Sequence, residues 1–438
     1  MIIQPNVKRS SSLPNFLKIH PKTPTVKMAK INPFRAVRPS KTNLQNFSSK
    51  SYKTYSQIEL VANLKNNPNS FLSIINLKKN TKFALDIAKR YELVKQKYEN
   101  FKATKVLIKD ATPAFYIYET LQENGLRFCG ILATAHVDDY ETNVIKKHEA
   151  TISKRENKFK TYLKTVRFNA APVLLTYPDD ETVEYGIQKA KLNAVEINSW
   201  NSENETHKIW RIETQKEVSF IQKAFENIPS LYIADGHHRS ASSALLAKEL
   251  NSKQKTPTNT SYNHFLTYLI PESQLKIQDY NRVIKDLNGL SVDSFLEKIS
   301  HRFRVEKKGK DVYKSIEKNE ISMYLGGEFY CLSLRQPMEN SQSAIHQLDT
   351  YILQTHLLEP ILGITNVRTN KRIDYIHGSD SLEQIKTIVD DGDYAVGFGL
   401  FPVETKELKA IADAGAVMPP KSTYIYPKLR SGITIYEF

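Results

Sequence analysis

Residues 231–250 constrain the fold of this chain more than any other stretch. The apolar run Leu231 to Ala234 predicts a short buried strand, and a polar turn follows it at once. After the turn the residues have the spacing of an amphipathic helix. Its buried side is predicted to carry Ala241, Ala244 and Leu245. A strand that turns directly into a helix offers free backbone N–H groups to an anion.

The turn itself holds a carboxylate, two imidazoles and a guanidinium within five residues. Asp235 can hold Mg²⁺ or a substrate hydroxyl, since hard cations take carboxylate oxygen. Gly236 permits the bend, and His237, His238 and Arg239 can clamp phosphate oxygens. The alternative is a capped turn with no ligand, because Asp and Gly are common there for structural reasons. A zinc site at the histidines is a third reading, although no further His or Cys lies at ligand spacing.

A second polar segment spans residues 138–149. Residues 140–169 have the spacing of a long polar helix. On such a helix one face would carry Glu141, Ile145, His148 and Glu149. A Glu beside a His can serve as general base for an attacking hydroxyl. The alternative is a solvated helix face, which is what charge runs of this kind usually form.

A third segment near the C-terminus has the sequence Met-Pro-Pro-Lys-Ser-Thr. Its prolines stiffen the backbone, so Lys421, Ser422 and Thr423 can grip a phosphate, with Lys428 nearby. A basic surface loop is the alternative. Weaker basic segments surround Arg282 and Arg368. The chain has no Walker lysine loop, kinase catalytic loop or Rossmann fingerprint, so any phosphoryl chemistry here uses another scaffold.

The charge of the chain argues against nucleic acid as a partner of its folded body. The net charge is +15, but residues 1–58 carry eleven Lys and Arg and no Asp or Glu. Only +4 therefore belongs to the other 380 residues, and the basic excess is a property of the tail. No apolar run is long enough to span a bilayer, so we expect no membrane partner.

Two features bear on the compartment and on where the fold begins. Cys129 and Cys331 sit in apolar surroundings without metal or disulfide spacing, which indicates core residues in a reducing cytoplasm. Residues 1–27 contain four prolines, no acids and no apolar signal core. A transit peptide is conceivable, but the prolines favour a disordered or start-site extension, with the folded protein beginning at Met28.

The order of elements predicts a mixed α/β fold. We expect an extension over 1–30, an α/β region over 31–255 that contains the Asp235 turn, and an α/β region over 256–438 that completes the site. The boundary is placed at a Lys/Thr/Pro/Asn-rich loop. Further elements are predicted as strands at 115–118, 130–136, 172–177, 264–270 and 394–400, helices at 313–317 and 381–390, and a hairpin at 321–334.

In these motifs the chain resembles a prokaryotic family catalogued as domain of unknown function 1015. The resemblance runs from about residue 31 to the C-terminus. The matching stretches begin at Pro33 (PFRAVRP), Asp139 (DYE through KHEAT), Arg167 (RFNAAP), Tyr232 (YIADGHHR) and Met418 (MPPKST). One departure is visible: many members carry Pro-Pro-Tyr-Asp soon after the first stretch, where this chain reads Lys-Ser-Tyr-Lys-Thr-Tyr-Ser.

More distantly, Asp-Gly-His-His-Arg followed by a helix is similar to the signature of free-serine kinases built on the ParB/sulfiredoxin-like scaffold. That resemblance implies a nucleotide-binding core in which the turn holds phosphates and an upstream Glu acts on the acceptor. The order of His148-Glu149, Ala171-Pro-Val-Leu-Leu and the Asp235 turn fits this layout, with an insertion near 178–225.

The resemblance implies a small-molecule kinase that phosphorylates free L-serine, with Mg²⁺ and ATP or ADP. Glu149, Asp235 and His148 would be catalytic, with Asp235 also at the metal. Arg167 and Asn169 are assigned to the substrate. Phosphate binding is assigned to Gly236, His237, His238, Arg239, Lys421, Ser422 and Thr423. The alternatives are a ParB-like nucleotide switch or hydrolase without an amino-acid acceptor, and a non-catalytic interaction protein.

Overall fold

The computed structural model describes residues 28–76, 86–194, 196–202, 204–253, 259–336, 343–378 and 380–438. Residues 1–27 of the expected extension and residues 254–258 of the expected boundary loop lie outside these ranges. Residues close to Met28 are already part of the packed fold. Ala29 is buried, and the backbone N–H of Lys30 donates to Asp139 Oδ2 at 3.1 Å.

The larger of the two main sheets has nine strands and mixed direction. From one edge to the other its strands are Ile145–Lys146, Leu231–Asp235, Val173–Tyr177, His264–Pro271, Arg127–His136, Phe115–Gln122, Glu205–Ile212 and Glu196–Ser202, with Ile31–Asn32 added beside Arg127–His136. The alternating side chains of these strands enter two separate cores. Ile131 and Ala133 face one core, whereas Leu132 faces the other. Both faces of the sheet are therefore covered, as continuous apolar strands predict.

Helices cover the first face of this sheet, and the C-terminal part of the chain covers much of the second. The helices before residue 260 are Leu44–Phe47, Gln57–Asn66, Phe71–Ile75, Ile87–Ala103, Val137–Glu141, Ser153–Val166, Glu181–Asn193, Gln215–Phe225 and His237–Asn251. Apolar positions of the last three of these helices pack into the first core, including Ile187, Ile221 and Ala244.

The second main sheet has six strands. In spatial order they are Phe303–Gly309, Glu328–Leu334, Glu320–Leu325, Val396–Gly399, Tyr280–Ile284 and Ile373–His377. Its helices are Val292–Ser300, Asp349–Leu353 with a π-helical continuation Gln354–Leu358, and Ser381–Asp390. The chain passes from the large sheet to this sheet between Pro271 and Tyr280, so the strand that follows residue 256 still belongs to the large sheet.

After the second sheet the chain returns to the first. Helix Thr405–Asp413 packs with the second core of the large sheet, and strand Tyr424–Tyr426 pairs with Lys276–Gln278. Strand Tyr436–Glu437 then pairs with Phe168–Asn169. Residues 401–438 therefore pack against the N-terminal region. This packing brings the segment Lys421-Ser422-Thr423 towards the Asp235 turn.

Most predicted elements are confirmed, and the mixed α/β class with them. The strand-turn-helix at 231–250 is present, although Leu246 rather than Leu245 is fully buried. The hairpin turns at Gly326 and Gly327, both with positive φ. Cys129 and Cys331 are free and buried. Within the ranges that the structure describes, no helix has the length and apolar character to cross a membrane.

Two predictions are wrong. The stretch 140–169 is not one helix, because strand Ile145–Lys146 and a loop precede the helix at Ser153. Glu141, His148 and Glu149 therefore do not share a helical face. The segment 313–317 is not helical. At Ile145–Lys146, pairing with Leu231 and Tyr232 decided the local structure. Residues 313–317 are irregular, and the N–H of Ser315 donates to the hydroxyl of Ser322 at 2.9 Å.

Candidate functional site

The Asp235 turn lies at one edge of the large sheet, where three chain segments meet. Strand Leu231–Asp235 runs parallel to Ile145–Lys146 and antiparallel to Val173–Tyr177. Parallel neighbours end at the same edge of a sheet, so the residues after Lys146 emerge beside the Asp235 turn. The antiparallel neighbour begins at that edge, which brings Pro172 there. Sheet topology therefore joins His148-Glu149 to the turn.

Gly236 makes the turn possible. Its φ of +107° is one that L side chains rarely adopt, and a Cβ there would lie 3.0 Å from the guanidinium of Arg239. Helix His237–Asn251 starts at the next residue without a side-chain cap among the described residues. Elsewhere Asp180, Thr214 and Ser291 do cap their helices. The first N–H groups of this helix are thus left for another acceptor, and an anion suits them.

Arg239 and Asp235 form an ion pair across the turn. Arg239 Nη2 lies 2.5 Å from Asp235 Oδ2, and the other guanidinium nitrogen donates to the Pro172 carbonyl. Burial alone would raise the pKa of Asp235, but the charges of Arg239 and Lys428 outweigh it and hold that pKa below its usual range. The side chain of Asp235 is nevertheless 48% exposed. A group that is crowded by protein and still open to solvent lies in a cleft.

His237 lies beside the carboxylate of Glu149. The backbone N–H of His148 donates to His237 Nε2 at 3.4 Å, so the proton of the neutral ring belongs on Nδ1. Nδ1 lies 3.7 Å from Glu149 Oε2. Burial lowers the pKa of His237 to about 4, against the pull of Asp235, so the ring is neutral at pH 7. Glu149 is 43% exposed and keeps a free oxygen for a substrate.

His148 is a buried support for this pair rather than a group open to substrate. Its side chain is 1% exposed, and its ring packs edge-on against His237 with centroids 4.5 Å apart. Neither ring nitrogen makes a well-formed hydrogen bond to the described part of the chain, although the backbone of Ile233 lies beside the ring. Burial, and then the neighbouring His237, lower the pKa of His148 to about 3.

The pKa of His148 predicts a pH-dependent stability. The unfolded chain takes up this proton near pH 6.5 and the folded chain only near pH 3, so stability falls as pH drops between those values. In His148→Leu the loss of unfolding free energy from pH 6.5 to pH 5 should be smaller by about 1.5 kcal/mol. Urea titrations at both pH values measure it, with the exposed His301→Leu as control. An unchanged difference in His148→Leu would contradict the assignment.

Two lysines from the returning C-terminal segment border the cleft. Burial lowers the pKa of Lys428, and the negative charges of Asp235 and Glu149 oppose that shift, so its ammonium is within electrostatic range of both carboxylates. Lys421 adopts a positive φ of 62°, and its Nζ lies 3.0 Å from the hydroxyl of Tyr280. Arg282 fixes this residue from the second sheet by donating to the Lys421 carbonyl at 2.9 Å.

Further cations face the histidines of the turn. Burial lowers the pKa of His238, and the charges of Arg155 and Arg368 add to the effect. His238 Nδ1 has no hydrogen-bond partner among the described residues. The cations Arg155, Arg368, Arg239 and Lys428 outnumber the carboxylates Glu156, Glu149 and Asp235 that act on the same groups, which favours a polyanionic ligand.

The segment that carries Lys421 is tied to the site by its own backbone. The N–H of Met418 donates to the carbonyl of His148 at 2.9 Å. Ser422 is buried, and its hydroxyl is engaged with Thr350 at 2.9 Å and with the Pro419 carbonyl at 2.7 Å. That hydroxyl therefore shapes the loop, and its geometry does not support the predicted phosphate contact. Thr423 is partly buried in the same loop.

The contacts of Arg167 and Asn169 lie elsewhere. Arg167 ends its helix with φ of 62° and lies over the ring of Phe438, beside an open cavity of about 390 Å³. The side-chain oxygen of Asn169 accepts the N–H of Leu266 at 3.2 Å. The structure does not bring either side chain into contact with the Asp235 turn, so their predicted role with substrate has no geometric support.

Sequence reasoning underrated Lys428 and missed Pro172 and Met418 as supports of the site. The contacts of Pro172 and Met418 use backbone atoms, which leave no signal in side-chain patterns. Lys428 had a signal in its closeness to Lys421, but its partner Asp235 is far away in the sequence.

The residues present fit a magnesium–phosphate ligand better than a closed metal site. No three His, Cys, Asp or Glu side chains are grouped to hold a metal ion in the described ranges. Mg²⁺ commonly takes only one or two carboxylates and completes its shell with water and substrate phosphates. Asp235 and Glu149 are the exposed carboxylates available for that purpose.

Comparisons with known proteins place this site in context. A family model described as "Protein of unknown function (DUF1015)" matches residues 31–351. The structure of SbnI with C-terminal truncation, from Staphylococcus aureus, is 14% identical, with a TM-score of 0.35 over 67% of this chain and 82% of that chain. A free serine kinase in complex with AMP is 12% identical, with a TM-score of 0.36 over 69% and 92%. No curated protein matches the chain.

Proposed function

The chain belongs to the DUF1015 family of proteins of unknown function, and we propose that it is a small-molecule kinase. In this proposal a nucleotide binds at the Asp235 turn and its terminal phosphate passes to an acceptor hydroxyl, with free L-serine as the first acceptor to test. The observation that carries the proposal is the exposed Glu149 carboxylate, which lies 3.7 Å from Nδ1 of neutral His237 beside an uncapped helix N-terminus.

The phosphate side of the site rests on donors that converge from separate elements. The N-terminus of helix His237–Asn251 supplies backbone N–H groups, Arg239 supplies a guanidinium, and Lys428 and Lys421 supply ammonium groups from the returning segment. Phosphoryl transfer requires mainly positioning and neutralisation of charge. These groups provide both, because Arg239 is fixed by Pro172 and Asp235.

The acceptor side rests on Glu149. In the proposed step the acceptor hydroxyl attacks the terminal phosphorus, an oxygen–phosphorus bond forms, and the bond to the bridging oxygen of the nucleotide breaks. Glu149 accepts the hydroxyl proton. The departing nucleotide keeps its negative charge, which Arg239 and Lys428 stabilise. The products are the phosphorylated acceptor and the shortened nucleotide, so atoms and charge balance.

Magnesium would be held by Asp235 together with the phosphates of the nucleotide. It would neutralise phosphate charge during transfer. Asp235 suits this role because its pKa is lowered and its side chain stays open to solvent, so the group is ionised and accessible at neutral pH.

The first test of the function is product formation by the full-length protein with Mg²⁺, L-serine and either ATP or ADP. We expect O-phosphoserine, detected by mass spectrometry, with one of the two donors. Release of inorganic phosphate without phosphoserine would favour the ParB-like switch or hydrolase, or a different hydroxyl acceptor. Absence of both products and of nucleotide binding would return the turn to a purely structural role.

A further inference from the structure

An aromatic cluster lies where the second sheet meets the returning C-terminal segment, and the reaction proposed above does not use it. Tyr280 and His377 are opposite each other in neighbouring strands. The rings of His377 and Tyr424 stack, with centroids 3.7 Å apart and planes at 14°. Tyr280 meets these two rings edge-on at 5.7 and 5.8 Å, and Tyr375 packs against Tyr280 at 5.5 Å. We call these four rings the aromatic face.

The aromatic face is open to solvent on one side. His377 is exposed and the three tyrosines are partly exposed. Tyr424 covers one side of the imidazole, and His377 nevertheless remains exposed. Burial, with the charges of Lys428 and Lys421, lowers the pKa of His377 and favours the uncharged ring at pH 7. An accessible stack of this kind suits a planar heteroaromatic ligand, because every nucleobase has a π-face.

The same lysines border the aromatic face and the phosphate cleft. Lys428 Nζ lies 4.0 Å above the ring of Tyr424, and its charge also acts on Asp235. Lys421 Nζ lies 3.0 Å from the Tyr280 hydroxyl and 5.1 Å from the centre of that ring. A molecule that stacks on the aromatic face would thus extend past two ammonium groups towards the Asp235 turn. A nucleotide has this arrangement, because its aromatic base is joined to a chain of negatively charged phosphates.

We propose that the aromatic face is the nucleobase subsite, so that the phosphate donor is a nucleotide and not a bare polyphosphate. This inference rests on the proposed function, since it assumes that phosphates occupy the Asp235 cleft. The base stacks on the open side of His377, and its phosphates pass Lys428 and Lys421. Stacking reads no particular base edge, so ATP and GTP bind with similar affinity.

The test compares two ligands that share phosphates and differ in the base. The dissociation constants of ATP and tripolyphosphate, each with Mg²⁺, are measured by calorimetry on the full-length protein. We expect the wild type to bind ATP about 5- to 100-fold more tightly than tripolyphosphate, the range that stacking of one base supplies. His377→Ala should lose most of that advantage and leave tripolyphosphate binding within about twofold.

Two further variants control for folding and charge. His377→Phe keeps a flat ring and should retain the preference for ATP, whereas His301→Ala, at an exposed histidine of the same region, should change neither ligand. Equal affinity of the wild type for both ligands overturns the subsite. An equal loss for both ligands in His377→Ala also overturns it. If neither ATP nor tripolyphosphate binds the wild type, the proposed function fails, and this inference fails with it.

Discussion

Glu149→Gln should lower the rate of phosphoryl transfer by at least about 10²-fold while leaving the fold and nucleotide affinity intact. The amide has the size of the carboxylate, so it fits the same space 3.7 Å from Nδ1 of His237. The glutamine amide cannot act as the base that takes the proton of the acceptor hydroxyl. Initial rates of phosphoserine formation, with the dissociation constant of the nucleotide measured in parallel, separate the two effects.

The matched control for this change is Glu141→Gln. Glu141 is exposed, lies in the same stretch of sequence and ends the short helix Val137–Glu141. Its substitution should leave turnover within about twofold of the wild type, because surface changes of this type are close to neutral. Near-wild-type turnover in Glu149→Gln, with the protein folded, would refute the role of Glu149 as base.

Asp235→Asn should reduce turnover by about 10²- to 10³-fold, the loss typical of one electrostatic stabiliser. The carboxylate holds Arg239 at 2.5 Å and balances Lys428, and in the proposed mechanism it also holds the metal ion. Asparagine keeps the shape and removes the charge. The steady-state rate over a range of Mg²⁺ concentrations measures the effect.

A double variant distinguishes the two roles of Asp235. If this carboxylate acts solely by fixing Arg239, Asp235→Asn should cause almost no further loss in an Arg239→Gln background. If it also binds Mg²⁺, a further loss and a higher Mg²⁺ requirement should remain. Asp286→Asn is the matched control, since it breaks an Asp–Arg pair of 2.5 Å with Arg372 in the second sheet. Loss of activity in that control would point to general instability.

The Asp235 turn could be predicted because its signals are local. The apolar run forms the strand, the glycine adopts the positive φ of the turn, and the alanine-rich stretch forms the helix. Each of these signals acts over only a few residues. The hairpin at Gly326-Gly327 was predictable for the same reason. Buried cysteines were predictable from their apolar neighbours.

The surroundings of Glu149 show where local signals fail. The sequence singled out His148 and Glu149, but it placed them on a helix with Glu141. In the structure the preceding residues pair as a strand with Leu231 and Tyr232, so a loop carries the two side chains to the turn. The choice between helix and strand there depended on a partner strand that local spacing does not contain.

By itself the sequence determined the mixed α/β class, most helices and strands, and the residue types that make the Asp235 turn attractive to phosphate. The tertiary structure alone decided which of them share a cleft. It brought Lys428 to Asp235, engaged the hydroxyl of Ser422 with Thr350, and gave Arg167 and Asn169 contacts away from the turn. The physical reason is that propensity and periodicity act over a few residues, whereas a site forms from contacts between strands and loops that are distant along the chain.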